Sequence, residues 1–187
     1  MKTLRNAFLL FLSLVILTGV IYPAVVTLAA QGIFPAQAGG SLVYDARGKL
    51  AGSGLIAQEF TPPRYFISRP SATAGSAYNP LASGGSNLGP CNPQLIKQIQ
   101  DRAAALKAAG FSEPIPSDLV MASGSGLDPE ITWEAALYQT PSIAEARNLP
   151  QEKIITLLLK FKEKRQFGVL GDDRVNVLKL NLALDKL

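Results

Sequence analysis

Arg64 and Arg69 flank Tyr65 and Phe66 inside a stretch, Thr61 to Pro93, that holds six of the 13 prolines and no other charge. Guanidinium groups beside aromatic rings suit stacked contacts and two-pronged binding of a partner's carboxylates. The competing reading is a pair of solvated arginines next to packed rings. Asp118, Asp128 and Glu130 could offer oxygen ligands to a hard cation, with carbonyls from Asn79 and Asn87, but their spacing matches no EF-hand loop. Asp128 before Pro129 reads more simply as a turn or helix-entry residue.

Other chemistry is removed by composition. The chain has no His, so imidazole bases, His-ligated metals and Ser-His-Asp arrangements are absent. Cys91 is alone, which excludes an intrachain disulfide or a thiolate cluster. Gly48-Lys49 is followed by Leu50 and fails the phosphate-loop pattern. Gly84-Gly85-Ser86-Asn87-Leu88 lacks the final glycine of a nucleophile elbow. Ser83, Gly84, Gly85 and Ser86 resemble a transporter signature loop that contacts nucleotide, a likeness that small residues produce easily. Hydrolase readings are therefore disfavoured, with carboxylate-only chemistry as the surviving enzymatic route.

These residues sit beyond a long apolar segment. Ala7 to Ala30 carries no charge, and a helix of that length reaches ~36 Å against a hydrocarbon core of about 30 Å. The expected organisation is a short cytoplasmic N-terminus (1–6), a transmembrane helix (7–30) and an extracytoplasmic α+β domain (31–187). Lys2 and Arg5 place the N-terminus inside by the positive-inside rule, and Pro23 predicts a bend. A cleaved signal peptide is the rival, since Ala36-Gln37-Ala38 has a small-x-small form. Ser13, Thr18 and Gly19 are candidates for close helix–helix contact within the bilayer. The net charge of +4 falls to +2 once Lys2 and Arg5 are set aside, so the basic balance does not argue for nucleic acid.

In the outer part, 41–60 reads as a β-hairpin turning at Asp45-Ala46-Arg47-Gly48. Thr61–Pro93 is either a linker or an ordered recognition loop. Asn92 caps a helix to about Ala109 that ends at Gly110, with Leu95, Ile99 and Leu106 as its buried stripe. Thr132 caps a segment that Pro141 interrupts, and Ser142 restarts a short helix to Asn148. A helix from Gln151 to about Gln166 places Ile154, Leu157, Leu158 and Phe161 on one face, with Lys160, Lys162, Lys164 and Arg165 at its C-terminal end. Val175–Leu184 alternates and predicts a strand paired with the hairpin. The fold class is α+β, one domain behind one membrane helix.

Four strings then carry a resemblance: SRPSATAGSAYNPLASGGSNLGPCNP (68–93), SDLVMASGSGLDPEIT (117–132), AEARNL (144–149) and the ending VNVLKLNLALDKL. Together they resemble the C subunit of the bacterial potassium-transporting Kdp-type ATPase, over the whole chain. The family pattern is departed from at Gln139–Ser142, where Pro141 stands in a helix that usually reads as continuous. The resemblance implies a non-catalytic accessory subunit in the bacterial inner membrane. Its partners would be a channel-like potassium-translocating subunit and a P-type ATPase subunit. It also implies a role in assembly and a chaperone-like effect raising the ATPase subunit's affinity for ATP, with ATP and potassium handled by the complex and no cofactor of its own. With 31–187 outside, Ser83–Asn87 cannot reach cytoplasmic ATP, so that effect would pass through subunit contacts. Arg64, Arg69, Tyr78, Asn79 and Asn87 are the expected docking residues for the channel-like subunit. The alternative is a membrane-tethered exported binding domain acting alone.

Overall fold

A computed structural model describes every residue except Glu113. The chain divides into two compact units, Met1–Leu42 and Val43–Leu187. The first is a continuous helical rod, Lys2–Ile33, apolar enough to cross a membrane and the one candidate span among the described residues. It comprises α1 (Lys2–Ile16), a π-helical turn (Leu17–Ile21) and α2 (Tyr22–Ile33), followed by the short α3 (Pro35–Ala38). Pro23 cannot donate a bond back to Gly19, and the helix widens over the turn that would have accepted it. The hydroxyls of Ser13 and Thr18 donate to Leu9 O and Leu14 O, each at 2.7 Å, so both are satisfied within the helix itself. A Cβ placed on Gly19 would meet nothing within 4 Å.

Among the described residues, the second unit combines a two-stranded hairpin, a three-stranded sheet, four α-helices and two short 3-10 turns. The hairpin, β1 (Leu42–Tyr44) and β2 (Leu50–Ser53), forms where the sequence predicts it. Asp45 accepts from the amides of Arg47 (2.8 Å) and Lys49 (2.9 Å), which holds its carboxyl below the usual range, and Gly48 supplies φ +75°. α4 (Pro93–Ala108) also matches its expectation. Asn92 Oδ1 accepts from Gln94 N at 2.8 Å, and Gly110 follows the end at φ +90°. Of the expected stripe, Leu106 is buried, while Leu95 and Ile99 are half-buried.

Three expectations are corrected. Pro141 does not break its helix: α5 runs unbroken from Trp133 to Arg147, capped by Thr132. Burial of Gln139, Thr140, Ile143 and Ala144 on both sides of the proline holds the axis through the one missing bond. α6 (Gln151–Phe161) stops five residues early, because Lys162–Glu163 becomes strand β4. The largest departure is at the C-terminus, where only Arg174–Asn176 is a strand (β5) and Val177–Leu184 is a helix, α7. Asn176 caps α7 through Lys179 N, and the buried set Val177, Leu180, Asn181, Leu184 follows the helical period. The expected pairing with the hairpin is replaced by an antiparallel sheet ordered β3-β5-β4, β3 being Glu130–Thr132, with Ile131 opposite Val175 and Lys162 also opposite Val175. Phe66, Ile131, Ile143, Ile154, Leu158, Val175, Leu180 and Leu184 form its core, all at most 1% exposed.

Candidate partner-binding strap

Residues 61–92 contain no regular element longer than the 3-10 turn Pro80–Ala82, yet they are ordered by specific contacts. The strap enters through two side-chain amides. Buried Asn181 accepts from Phe66 N (3.0 Å) and donates to Phe66 O (2.8 Å). Buried Gln139 accepts from Ile67 N at 2.8 Å and donates to Ile67 O at 3.4 Å. Two helices thus supply the hydrogen bonds a neighbouring strand would supply. Arg147 adds a third clamp: its Nε donates to Arg64 O (2.7 Å), its Nη2 pairs with Asp185 (2.8 Å), and its guanidinium lies 4.7 Å from the Tyr65 ring centroid.

Arg69 turns toward the protein. Its guanidinium lies 3.3 Å from Asp128 and 4.0 Å from Asp118. Each carboxylate also accepts a backbone amide of β3, Asp118 from Thr132 N (2.8 Å) and Asp128 from Glu130 N (3.0 Å). Asp128 therefore has the turn role expected of it, and the arginine ties the strap to the sheet edge. No group of three or more His, Cys, Asp or Glu is placed to hold a metal among the described residues.

Beyond Arg69 the strap is held by its own hydroxyls. Ser71 Oγ donates to Gly126 O (2.8 Å) and accepts from Tyr78 N (2.9 Å). Thr73 Oγ1 donates to Ser76 O (2.6 Å) and accepts from Asn79 N (3.1 Å). Tyr78 Oη donates to Arg69 O (3.0 Å), and burial pushes this phenol up to about 12. Asn79 Oδ1 accepts from Leu81 N (3.0 Å), capping the 3-10 turn. Leu81 itself stands 95% exposed.

The serine-glycine segment is spent in the same way. Ser83 Oγ and Gly84 N both donate to Ser125 O, at 3.0 and 2.8 Å. Ser86 Oγ accepts from Leu88 N at 3.5 Å. A Cβ on Gly85 would lie 3.1 Å from Gly124 O, and one on Gly126 only 2.7 Å from Gly84 O. Small residues are required here because two backbones approach each other. Ser83–Ser86 and Ser123–Gly126 thus form a stitched pair of loops.

The structure brings Arg69, Tyr78 and Asn79 together as the strap's framework. Arg64 and Asn87 are exposed, Asn87 in the left-handed region at φ +53°. Sequence reasoning did not single out Gln139, Arg147 or Asn181, because polar residues on a helical or alternating pattern read as solvated faces; Leu81 was hidden among small loop residues.

A family model described as K+-transporting ATPase, c chain, matches residues 4–186. Among similar proteins is one of Burkholderia orbicola (strain MC0-3), 55% identical over 99% of this chain and 97% of its own length. Others come from Geobacter sulfurreducens, 53% identical over 100% of this chain and 99% of its own length, and Geobacter metallireducens, 51% identical with the same coverage. Each is named a potassium-transporting ATPase KdpC subunit. With half of all positions shared end to end, and with the strap, its clamps and the apolar anchor all inside the matched region, the chain belongs to the KdpC family, the c chain of the K+-transporting ATPase.

Proposed function

We propose that this chain is the non-catalytic accessory subunit of an ATP-driven potassium uptake complex. Its single helix packs among partner helices, with Ser13, Thr18 and Gly19 as the positions where small side chains permit close approach. Its N-terminus lies in the cytoplasm, and its α+β domain, on the outer side of the inner membrane, caps the external mouth of the potassium pathway. The strap Arg64–Asn87 docks the channel-like subunit. Any gain in ATP affinity of the P-type ATPase subunit is relayed through subunit contacts.

The observation that carries this reading is the construction of the strap. A segment without regular structure is fixed by two amide clamps, an arginine and its own hydroxyls, while Arg64 and Leu81 are left exposed. A preorganised loop loses little entropy on docking, which is what a recognition surface needs.

The test is purification in mild detergent of the C-terminally tagged chain from its native host grown at limiting potassium. A polytopic protein, a P-type ATPase and potassium-stimulated ATPase activity should co-elute. Arg64→Glu with Leu81→Ser should lower the recovered complex at least tenfold without unfolding the chain. A wild-type chain eluting alone from cells shown to contain those partners would refute the subunit role, and an unaffected double variant would refute the strap assignment.

A further inference from the structure

β4 and β5 are joined by a tip, residues 164–173, exposed from Lys164 to Asp172. Phe167 is 91% exposed, Val169 73% and Leu170 57%. The tip is nevertheless ordered: Gln166 N donates to Leu170 O and Leu170 N to Gln166 O, both at 2.9 Å, and Gly168 N donates to Arg165 O at 3.1 Å. Phe167 sits at φ +53°, a left-handed conformation unfavourable for an aromatic residue, followed by Gly168 at φ +77°. A free domain gains nothing from holding a strained phenylalanine in water.

The charges around the tip divide into pairs and a remainder. Lys162 pairs with Asp173 (2.7 Å), Arg165 with Asp172 (2.9 Å) and Glu163 with Arg174 (3.1 Å). Lys160 and Lys164 are exposed, with no carboxylate within ion-pair distance among the described residues. Lys160–Asp173 carries only one net positive charge. That is too little to seat the tip on an anionic bilayer, for which the readable signal is about four to eight clustered cations. A knob of three apolar side chains that shares its tip with the spare ammonium of Lys164 instead fits an apolar pocket bordered by carboxylates.

We propose that the Phe167–Leu170 tip is a second docking point, inserting into an apolar, carboxylate-rimmed pocket on the polytopic channel-like subunit of the same complex. This rests on the reading that the outer domain docks a neighbouring subunit. Three side chains bury too little area to bind alone, so the tip acts beside the strap and the membrane helix, which keep it at high local concentration.

The test uses the full complex in native membranes, with a benzophenone photoprobe at Val169 in one preparation and at Leu81 in another. The Val169 probe should crosslink the polytopic subunit. Phe167→Ser with Leu170→Ser should lower the recovered complex at least tenfold, while the melting temperature of the isolated full-length chain in detergent stays within about 2 °C of wild type. A Leu81 crosslink without one at Val169 overturns the tip and leaves the strap reading standing. A Val169 probe that labels only lipid overturns it in favour of a bilayer contact. If neither probe crosslinks and the chain purifies alone, both readings fall.

Discussion

Gly126→Ala tests whether the two serine-glycine loops are locked together. The new Cβ would lie 2.7 Å from Gly84 O and 2.7 Å from Thr73 Cγ2, and 3.3 Å from Thr73 N. Gly126 also has φ +68°, so alanine there costs about 1 kcal/mol before any contact is considered. Relief of the overlap requires the strap to move by several tenths of an ångström. That weakens the Ser71 Oγ bond to Gly126 O and the Gly84 N bond to Ser125 O, both 2.8 Å, each worth about 1 kcal/mol. The expected loss is about 3 kcal/mol, or roughly 6–12 °C in melting temperature for a domain of this size. Gly84→Ala is the matched control: it lies on the opposing loop, yet its Cβ would meet nothing within 4 Å, so its effect should stay under about 0.5 kcal/mol. Thermal unfolding of the full chain in detergent, followed by near-ultraviolet circular dichroism, reads both. Equal melting temperatures for the two variants would show that the loops are not stitched as described.

Tyr78 gives the strap an alkaline limit. Its folded pKa, about 12, lies above the unfolded value of 10, so the folded state holds the proton longer; its stabilisation is complete below pH 10 and is lost as pH rises toward 12. Allowing for the ring's partial exposure, wild type should lose about 2 kcal/mol more than Tyr78→Phe between pH 9.5 and 12, measured by urea unfolding, and parallel curves would refute the assignment. Asn181→Ala should destabilise the domain by about 3 kcal/mol, because it leaves both backbone groups of Phe66 buried and unpaired. Hydrogen exchange at Phe66 N no faster than in wild type would contradict that.

The parts of the fold legible in the sequence are those fixed locally. Asn92-Pro93 and Gly110 bracket α4 with cap chemistry that needs no distant partner, and Asp45 to Gly48 close the hairpin turn. Over Val175–Leu184 the alternation predicts a strand, but VNVLKLNLAL satisfies both periods. Its leucines alternate, but Val177, Leu180, Asn181 and Leu184 also recur at helical spacing, and Asn176 four residues before Leu180 is a cap signal that decides for the helix. Pro141 misled for the opposite reason: the local penalty is real, and burial of Gln139, Thr140 and Ile143 overrides it. At the candidate site, Arg69, Tyr78 and Asn79 stood out by type in a charge-poor loop. Their partners Asp118, Asp128, Ser71 and Thr73 became visible only when distant segments were brought together.

The strap and the tip are built on one sheet, and this constrains how the domain can dock. Arg69 grips Asp128 and Asp118, which hold the amides of Glu130 and Thr132 in β3; β3 is registered on β5, and β5 on β4, from which the tip extends. Every link in that chain is a hydrogen bond, an ion pair or a strand pairing, so the spacing between Leu81 and Phe167 is set by folded structure rather than by linkers. Two contacts at fixed spacing reinforce each other only if the partner presents pockets at the same spacing, and then the second forms at the high effective concentration created by the first. A surface of this kind would discriminate by geometry more than by area, since each of the two contacts alone buries little.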